Sequence, residues 1–294
     1  MNIYSPSQTM QWDRCRFKWY LSRYRRIEYR YIGKKNLAAC LGKAVGGVLA
    51  MKYNPDDTAV SKMTPDQLVE LAEAYYNREL DVLIGEGLEL CGAPEEVKYP
   101  ALIQDMLKAY LKKPCIKDDW IVQGTEYQCG EENVSFIDAW GVNDRGVWVL
   151  DWKCKMTARP YQITQELAKY KHSWQLGHYV WSLWQRLGEW PKVAGISLIV
   201  GEPIAQHQYM EYEVDLDYMA WWERTAVRLW GEIDKAREWL AAHPTATLDE
   251  VKTHLGMSTS HMDGIFTCDM LEPCMTYGGD VQGIENYVEL GGRS

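Results

Sequence analysis

The chain has 294 residues, of which 47% are hydrophobic and 25% are charged, close to the averages of globular proteins. These fractions exclude a disordered, collagen-like or coiled-coil chain, and no stretch approaches the ~20 apolar residues that cross a bilayer. The N-terminus lacks the apolar core of a secretory signal, and eight scattered cysteines form no disulfide framework in a chain of this length. We therefore expect a cytoplasmic protein with a substantial core and no membrane partner.

The first third of the chain is predicted to be helical. Ser5, followed by proline, is a typical N-cap and opens a helix to about residue 24. Further helices are expected over residues 38–53, 64–84 and 94–111, each with apolar residues at helical spacing or a clear start signal.

The basic segment, defined as residues 14–35, contrasts with the overall charge. The net charge of −9 argues against a broad nucleic-acid-binding surface, yet this segment holds nine basic groups and one acid, with Trp and Tyr interleaved. Basic groups neutralise phosphates and flat rings stack on unpaired bases, so the segment predicts DNA binding by Arg23, Arg25 and Arg26. The alternative is a helix that buries its rings and solvates its charges.

The middle of the chain changes to β-prone runs separated by turn residues. Residues 121–129, 134–142 and 147–154 predict an antiparallel meander. After it we expect a long helix over 163–187, strands over 193–200 and 208–214, a helix to about 240 and an irregular tail. This order predicts an α/β fold, with a central mixed β-sheet flanked by helices and an N-terminal helical elaboration.

Two acids and a lysine occupy related positions on the second and third predicted strands. Asp151 and Lys153 are two residues apart, so both project from one face of a strand. An even-length turn at Asp144-Arg145 pairs residues whose numbers sum to about 289, which places Asp138 opposite Asp151. Facing carboxylates repel unless a cation lies between them, and oxygen ligands favour Mg²⁺ or Mn²⁺. The alternative is a solvent-facing ion pair.

Four motifs together resemble the RecB-like branch of the PD-(D/E)XK nucleases. Its hallmark is an Asp on one strand and (D/E)-x-K on the next, here Asp138 and Asp151-Trp152-Lys153. The other three motifs are Ser5-Pro-Ser-Gln8 followed by Cys15, Leu41-Gly-Lys-Ala-Val-Gly46 for the family's L-G-x-x-x-H, and Gln175-Leu-Gly-His-Tyr179 for Q-x-x-x-Y.

The resemblance implies a restriction-endonuclease-like fold and metal-dependent hydrolysis of phosphodiester bonds. Asp138 and Asp151 would bind the metal together with the carbonyl of Trp152, and Lys153 would position the attacking water. We expect a single nuclease domain over residues 1–294. Its parts are a mainly helical portion (1–115), an α/β catalytic core (116–242) and an irregular C-terminal tail (243–294).

The resemblance also assigns roles to a pair on the helix after the D-x-K strand. Gln175 and Tyr179 lie one helical turn apart on one face. They would hold the DNA strand or the loop at the metal site. Simple helix packing is the alternative for this pair.

The chain departs from the family pattern at two places. Gly46 stands where the family has His, so a metal ligand is missing and two-ion catalysis is in doubt. Ser135 replaces the small Gly common before the first motif Asp. Glu126 is a candidate replacement ligand, but an even-length turn pairs it with Ile137, on the other face from Asp138. Only an odd-length turn or a bulge would bring Glu126 to the site.

Three cysteines match part of a further family feature. Some RecB-like nucleases hold a [4Fe–4S] cluster with one N-terminal and three C-terminal cysteines, and Cys15, Cys268 and Cys274 would be three of the four ligands. The remaining C-terminal cysteine is absent, four thiolates are the norm, and the family often keeps the first cysteine without a cluster.

The residues and the resemblance lead to three functional hypotheses. The first is a Mg²⁺- or Mn²⁺-dependent exonuclease that processes DNA ends, alone or beside a helicase or recombination protein. The second is a DNA-binding scaffold on the same fold, impaired in catalysis because Gly46 replaces His. The third is a CRISPR-adaptation-type nuclease that carries a cluster.

Overall fold

The computed structural model describes residues 4–29, 31–32, 34–90, 99–129, 135–256 and 287–289. The α-helices are α1 (Pro6–Arg14), α2 (Arg16–Trp19), α3 (Lys34–Tyr53), α4 (Thr58–Ser61), α5 (Pro65–Gly85), α6 (Tyr99–Lys112), α7 (Pro160–Tyr170), α8 (Trp174–Leu187), α9 (Leu216–Ala242) and α10 (Leu248–Leu255). The strands are β1 (Ile27–Tyr29), β2 (Tyr31–Ile32), β3 (Glu89–Leu90), β4 (Ile121–Cys129), β5 (Ser135–Asn143), β6 (Gly146–Thr157), β7 (Val193–Glu202), β8 (Gln206–Glu213) and β9 (Tyr287–Glu289). No helix in these ranges combines the length and hydropathy needed to cross a membrane.

The chain forms two compact units. The terminal unit consists of Met1–Ile32, Leu83–Cys91 and Trp221–Ser294, and the sheet unit consists of Gly33–Val82 and Gly92–Ala220. The limits of these units differ from the predicted division of the chain into residues 1–115, 116–242 and 243–294. The assignment of the chain to a single nuclease domain stays a prediction.

A five-stranded mixed sheet forms the centre of the sheet unit. Its order is β4-β5-β6-β7-β8, with antiparallel pairs throughout except for the parallel pair of β6 and β7. The long α7–α8 segment between β6 and β7 supplies the crossover that a parallel pair requires. The mixed sheet flanked by helices confirms the predicted fold class.

Helices α3 and α8 cover opposite faces of this sheet. The ring of Tyr53, at the end of α3, stacks on Trp152 with centroids 6.1 Å apart. Gln175 of α8 instead accepts a hydrogen bond from Lys153. Because consecutive residues of a strand point to opposite faces, the two helices lie on either side of β6.

The register of the meander agrees with one prediction and corrects another. Ala139 pairs with Leu150 in the β5–β6 hairpin, which confirms pairing about a sum of 289. In the β4–β5 hairpin Thr125 pairs with Ala139 and Tyr127 with Ile137, so Glu126 lies across from Asp138. The expected pairing of Glu126 with Ile137 was wrong. Strand β4 ends at Cys129 and β5 begins at its pairing partner Ser135, so the residues between them are odd in number. This shifts the β4–β5 register by one residue relative to the expected even-length turn.

Two further elements differ from the sequence predictions. The helix expected over residues 163–187 is divided into α7 and α8, because Ser173 has an extended backbone and its Oγ accepts the N–H of Leu176. The tail expected to be irregular contains α10, which opens with a capping box between Thr247 and Glu250. It also contains β9, which pairs antiparallel with β1.

The terminal unit is built on aromatic side chains of its helices. Phe17, Trp19 and Trp222 are almost completely buried. Indole N–H groups form hydrogen bonds between α1 and α9. That of Trp12 donates to Glu232 at 3.2 Å, and that of Trp230 donates to Thr9 at 3.1 Å. The predicted helix to residue 24 is interrupted at Cys15 and ends in a π-helical turn at Tyr20–Tyr24.

Gly141 of β5 is expected to tolerate no side chain, because a Cβ there would lie 2.0 Å from the carbonyl oxygen of Ile121. We expect Gly141→Ala to lower the free energy of unfolding by ~2–3 kcal/mol, as overpacking does. Gly231→Ala in α9, where a Cβ meets nothing within 4 Å, should instead raise it by up to ~1 kcal/mol. Urea unfolding measures both, and an unchanged Gly141→Ala variant would disprove the close strand approach.

Candidate active site

The carboxylate of Asp138 is held where β5 leaves β6. The backbone register between the strands runs as far as Ala139–Leu150. One residue further, Oδ2 of Asp138 accepts the backbone N–H of Trp152 at 2.7 Å. The Asp138 side chain therefore takes the place of a β5 backbone carbonyl as the acceptor for β6. This bond fixes the Asp138 carboxylate beside the Asp151-Trp152-Lys153 motif.

Asp151 is buried with half of its hydrogen-bonding capacity unused. The residue is fully buried, and its Oδ1 accepts from Nζ of Lys153 at 2.8 Å. Its Oδ2 has no hydrogen-bond partner in the part of the chain that the structure describes. A buried carboxylate oxygen in this state is costly, so the position suits an additional ligand such as a cation.

A chain of hydrogen bonds joins the two acids through helix α8. Nζ of Lys153 donates to Oε1 of Gln175 at 2.7 Å, and Nε2 of Gln175 donates to the hydroxyl of Tyr179 at 2.7 Å. That hydroxyl in turn donates a long bond of 3.5 Å to Oδ1 of Asp138. We call Asp138, Asp151, Lys153, Gln175 and Tyr179 the site network. The structure brings together these five residues, and their roles stay predictions.

The charges of the site network shift two pKa values. Burial, with the nearby charges of Asp151 and Glu126, raises the pKa of Asp138 well above its usual range, although Lys153 and the Trp152 N–H oppose the rise. Burial alone would lower the pKa of Lys153, but the two aspartates outweigh it and raise that pKa. The raised pKa of Lys153 keeps it a charged hydrogen-bond donor at neutral pH, and a cation beside Asp138 would offset the rise in the pKa of that carboxyl group.

A cavity of about 350 Å³ opens beside the network. It lies in the sheet unit, between the edge of the hairpin and helices α3 and α5. A Cβ built on Gly46 would meet nothing within 4 Å, so the place where the family has His is open space. The lining residues are Gly42, Lys43, Gly46, Gly47, Tyr75, Glu79, Glu126, Asp138, Trp152 and Lys153.

Glu126 reaches this cavity through an irregular stretch of β4. The strand has a register shift between Val122 and Gly124, and Glu126 itself has a φ of +43°, which is uncommon for a residue with a side chain. Desolvation by the surrounding protein raises the pKa of Glu126, although the residue as a whole is exposed. The sequence analysis required an odd-length connection or a bulge to bring Glu126 to the site, and the structure has both. The role of Glu126 as a metal ligand stays a prediction.

The donor set suits a hard divalent cation. Asp138 and Asp151 supply carboxylate oxygens, one of them buried and unbonded, and oxygen is the ligand that Mg²⁺ and Mn²⁺ prefer. Within the described ranges, however, no group of three or more His, Cys, Asp or Glu residues is placed to hold a metal ion. The residues thus fit a cation held by two aspartates and backbone or water oxygens.

The remaining sequence candidates that the structure describes lie in the terminal unit. Cys15 is buried and caps α2, where its Sγ accepts the N–H of Lys18, while Cys268 and Cys274 lie outside the described residues. Arg23 donates to Gln11 and Ser7, and Arg26 lies 3.8 Å from Glu86. Arg25 ends the π-helical turn. Cluster binding by the cysteines and DNA binding by the arginines stay predictions.

Three cavity residues were missed by the sequence analysis. Lys43 lies one helical turn before Gly46, inside a motif already considered, so its place could have been inferred from helical spacing. Tyr75 and Glu79 come from α5, whose sequence carries no family motif. Glu79 forms an ion pair with Lys43, with 2.6 Å between Oε2 and Nζ.

Comparisons with known proteins found a family match and similar solved structures. The family model of the PD-(D/E)XK nuclease superfamily matches residues 3–247. The solved structure of a phage-related exonuclease from Haemophilus somnus 129PT is similar with 13% identity and a TM-score of 0.31, over 65% of this chain and 94% of that chain. No curated protein sequence matches the chain significantly. With the mixed sheet, the family match confirms the restriction-endonuclease-like fold.

The raised pKa of Asp138 predicts a pH-dependent stability of the metal-free protein. Because the folded state holds this proton to higher pH than the unfolded state, the stabilisation is present below the ordinary Asp pKa and is lost as pH rises. In urea unfolding with EDTA, Asp138→Asn should lose less unfolding free energy than the wild type as pH rises above the ordinary Asp range, because the amide has no charge to bury. Asp144→Asn at the exposed turn is the control, and an identical pH profile for Asp138→Asn and wild type would refute the assignment.

Proposed function

Because the chain belongs to the PD-(D/E)XK nuclease superfamily, we propose that it is a metal-dependent DNA nuclease of the RecB-like branch. It would hydrolyse phosphodiester bonds as an exonuclease at DNA ends. The observation that carries the proposal is the site network, which joins two carboxylates, a charged lysine and a free carboxylate oxygen at one place.

Asp138 and Asp151 would hold Mg²⁺ or Mn²⁺, with the Trp152 carbonyl and Glu126 as further oxygen ligands. When bound, such a cation would polarise the scissile phosphate and lower the pKa of a water molecule. The unbonded Oδ2 of Asp151 supports this assignment, since a cation would satisfy it.

Lys153 would act as a donor because the two aspartates keep it protonated. An ammonium has three N–H groups, and two of them donate to Asp151 and Gln175. The third is available to orient a water or to offset negative charge that develops on the phosphate. Gln175 fixes the ammonium in this position and ties it through Tyr179 to Asp138, so α8 positions the groups rather than reacting itself.

A second function is favoured by a specific observation. Gly46 brings no side chain to the cavity, and no third His, Cys, Asp or Glu completes a metal cluster among the described residues. A chain with a weakened metal site would retain the fold and bind DNA as a scaffold. In either case a helicase or recombination protein is the partner that the family resemblance implies.

The nuclease proposal predicts that Asp151→Asn and Lys153→Met abolish cleavage while leaving DNA binding nearly intact. Loss of one charged donor at a reacting phosphate should reduce the rate by at least ~100-fold. The assay uses end-labelled linear and circular DNA with Mg²⁺, Mn²⁺ or EDTA.

Lys155→Met is the matched control, because Lys155 lies on the same face of β6 but pairs with Glu166 at 2.6 Å. Degradation of linear DNA alone would establish an exonuclease, and cutting of circles would establish an endonuclease. Binding by the wild type without any cutting would instead support the scaffold.

The basic segment is expected to supply phosphate contacts. Reversing Arg23, Arg25 and Arg26 to Glu should weaken binding and flatten its dependence on salt by ~0.9 in log–log slope per lost contact. Cleavage per bound complex should change little. A variant with three exposed lysines reversed elsewhere (Lys62, Lys112 and Lys235) controls for net charge, and equal affinities and slopes in both variants would exclude the segment from binding.

A further inference from the structure

Lys43 of α3 and Glu79 of α5 form an ion pair at the cavity beside Asp138. Nζ of Lys43 lies 2.6 Å from Oε2 of Glu79, and both residues line the cavity. The partners differ in exposure, since the Lys43 side chain is 62% exposed and that of Glu79 is 13% exposed. The ammonium is therefore open to a ligand that arrives from solvent, whereas the carboxylate is largely covered by protein.

The charges that line the cavity give Lys43 a place in substrate binding. Among the described residues that line it, three are acids and two are lysines, Lys43 and Lys153. Two of the three N–H groups of Lys153 already donate to Asp151 and Gln175. The acids would hold the cation of the proposed function, so a further phosphate of a bound strand needs a separate positive group. Lys43 is the lysine in that position.

The surface of α3 beside Lys43 has room for a phosphate. Lys43 and Gly46 are three residues apart in the helix, so they lie on the same side of it, one turn from each other. A Cβ built on Gly46 would meet nothing within 4 Å, and Gly42 also lines the cavity. Because no side chain projects from α3 at these glycines, the backbone of a DNA strand has space to approach the Lys43 ammonium.

The ion pair with Glu79 competes with such a contact. A lysine that is mostly exposed gains little from one carboxylate partner, because water and salt screen the attraction. A phosphate offers the same ammonium a charge-assisted hydrogen bond, and the counterions that DNA releases favour the exchange. The exchange also has a cost, because the covered Glu79 carboxylate loses its partner. Glu79 therefore lowers the affinity of the cavity for a phosphate.

We propose that Lys43 binds a backbone phosphate of the DNA strand held at the site network, and that its ion pair with Glu79 breaks when the strand binds. Lys43 is then a substrate-binding residue, and Glu79 sets the affinity by competing with the phosphate. This inference rests on the proposed function and adds to it a residue that positions the strand and a residue that regulates its binding.

The test measures DNA binding without cleavage. A short fluorescein-labelled duplex is titrated with the full-length protein in Ca²⁺ instead of Mg²⁺, at several salt concentrations, and a gel verifies that the DNA is intact. We expect Lys43→Met to weaken binding by ~5–10-fold and to reduce the log–log salt slope by ~0.9, the value of one phosphate contact. Lys43→Arg should retain most of the affinity, because a guanidinium also binds phosphate.

A double-mutant cycle separates competition by Glu79 from a general effect of charge. Glu79→Gln should strengthen binding by at least ~3-fold when Lys43 is present, because the lysine no longer has to leave a carboxylate. In the Lys43→Met background the same change should have a smaller effect, and the difference measures the coupling of the two residues. Lys155→Met and Glu166→Gln are the matched controls, since this pair has the same 2.6 Å separation and does not line the cavity. Melting temperatures verify that every variant is folded.

The outcomes separate this inference from the function on which it rests. An unchanged affinity and salt slope in Lys43→Met would overturn the phosphate contact, and an equal gain from Glu79→Gln in both backgrounds would overturn the competition. Cleavage of DNA by the wild type in Mg²⁺ would still support the proposed function in those cases. A wild type that shows the Lys43 effect but cuts no DNA in Mg²⁺ or Mn²⁺ would instead refute the nuclease and support the contact.

Discussion

The hydrogen bond from the Trp152 N–H to Oδ2 of Asp138 is the constraint on which the site depends. Two antiparallel strands normally continue to satisfy each other's backbone until a turn or an edge. Here β5 leaves β6 after Ala139–Leu150, and a side chain takes over the acceptor role. Asp138 and Trp152 both line the cavity, and the bond between them fixes the orientation of the carboxylate.

Charge compensation around Lys153 explains why such a site is compatible with a folded core. A fully buried Asp151 requires a nearby positive charge, and Lys153 provides it from the same face of β6. The lysine in turn needs a fixed position, which Gln175 provides from α8. Among the described residues Oδ2 of Asp151 has no hydrogen-bond partner, and this is the feature that the proposed cation would satisfy.

Glycine at position 46 affects the proposed cation site. A histidine there would occupy space beside Asp138 and supply a nitrogen ligand, whereas glycine leaves the space open next to Tyr75. The loss of a ligand and the gain of room are thus consequences of one residue. In the proposed function, the cation would therefore be held by oxygen atoms alone.

The sequence by itself determined the features that follow from local spacing. Alternation along β6 places Asp151 and Lys153 on one face, and the short turn at Asp144 sets the register of the β5–β6 hairpin. Tertiary structure decided what depends on longer connections and on packing. Glu126 faces the site because the connection after β4 has an odd number of residues. Tyr75 lines the cavity because α5 packs closely on Gly47, a contact between distant segments that no local pattern encodes.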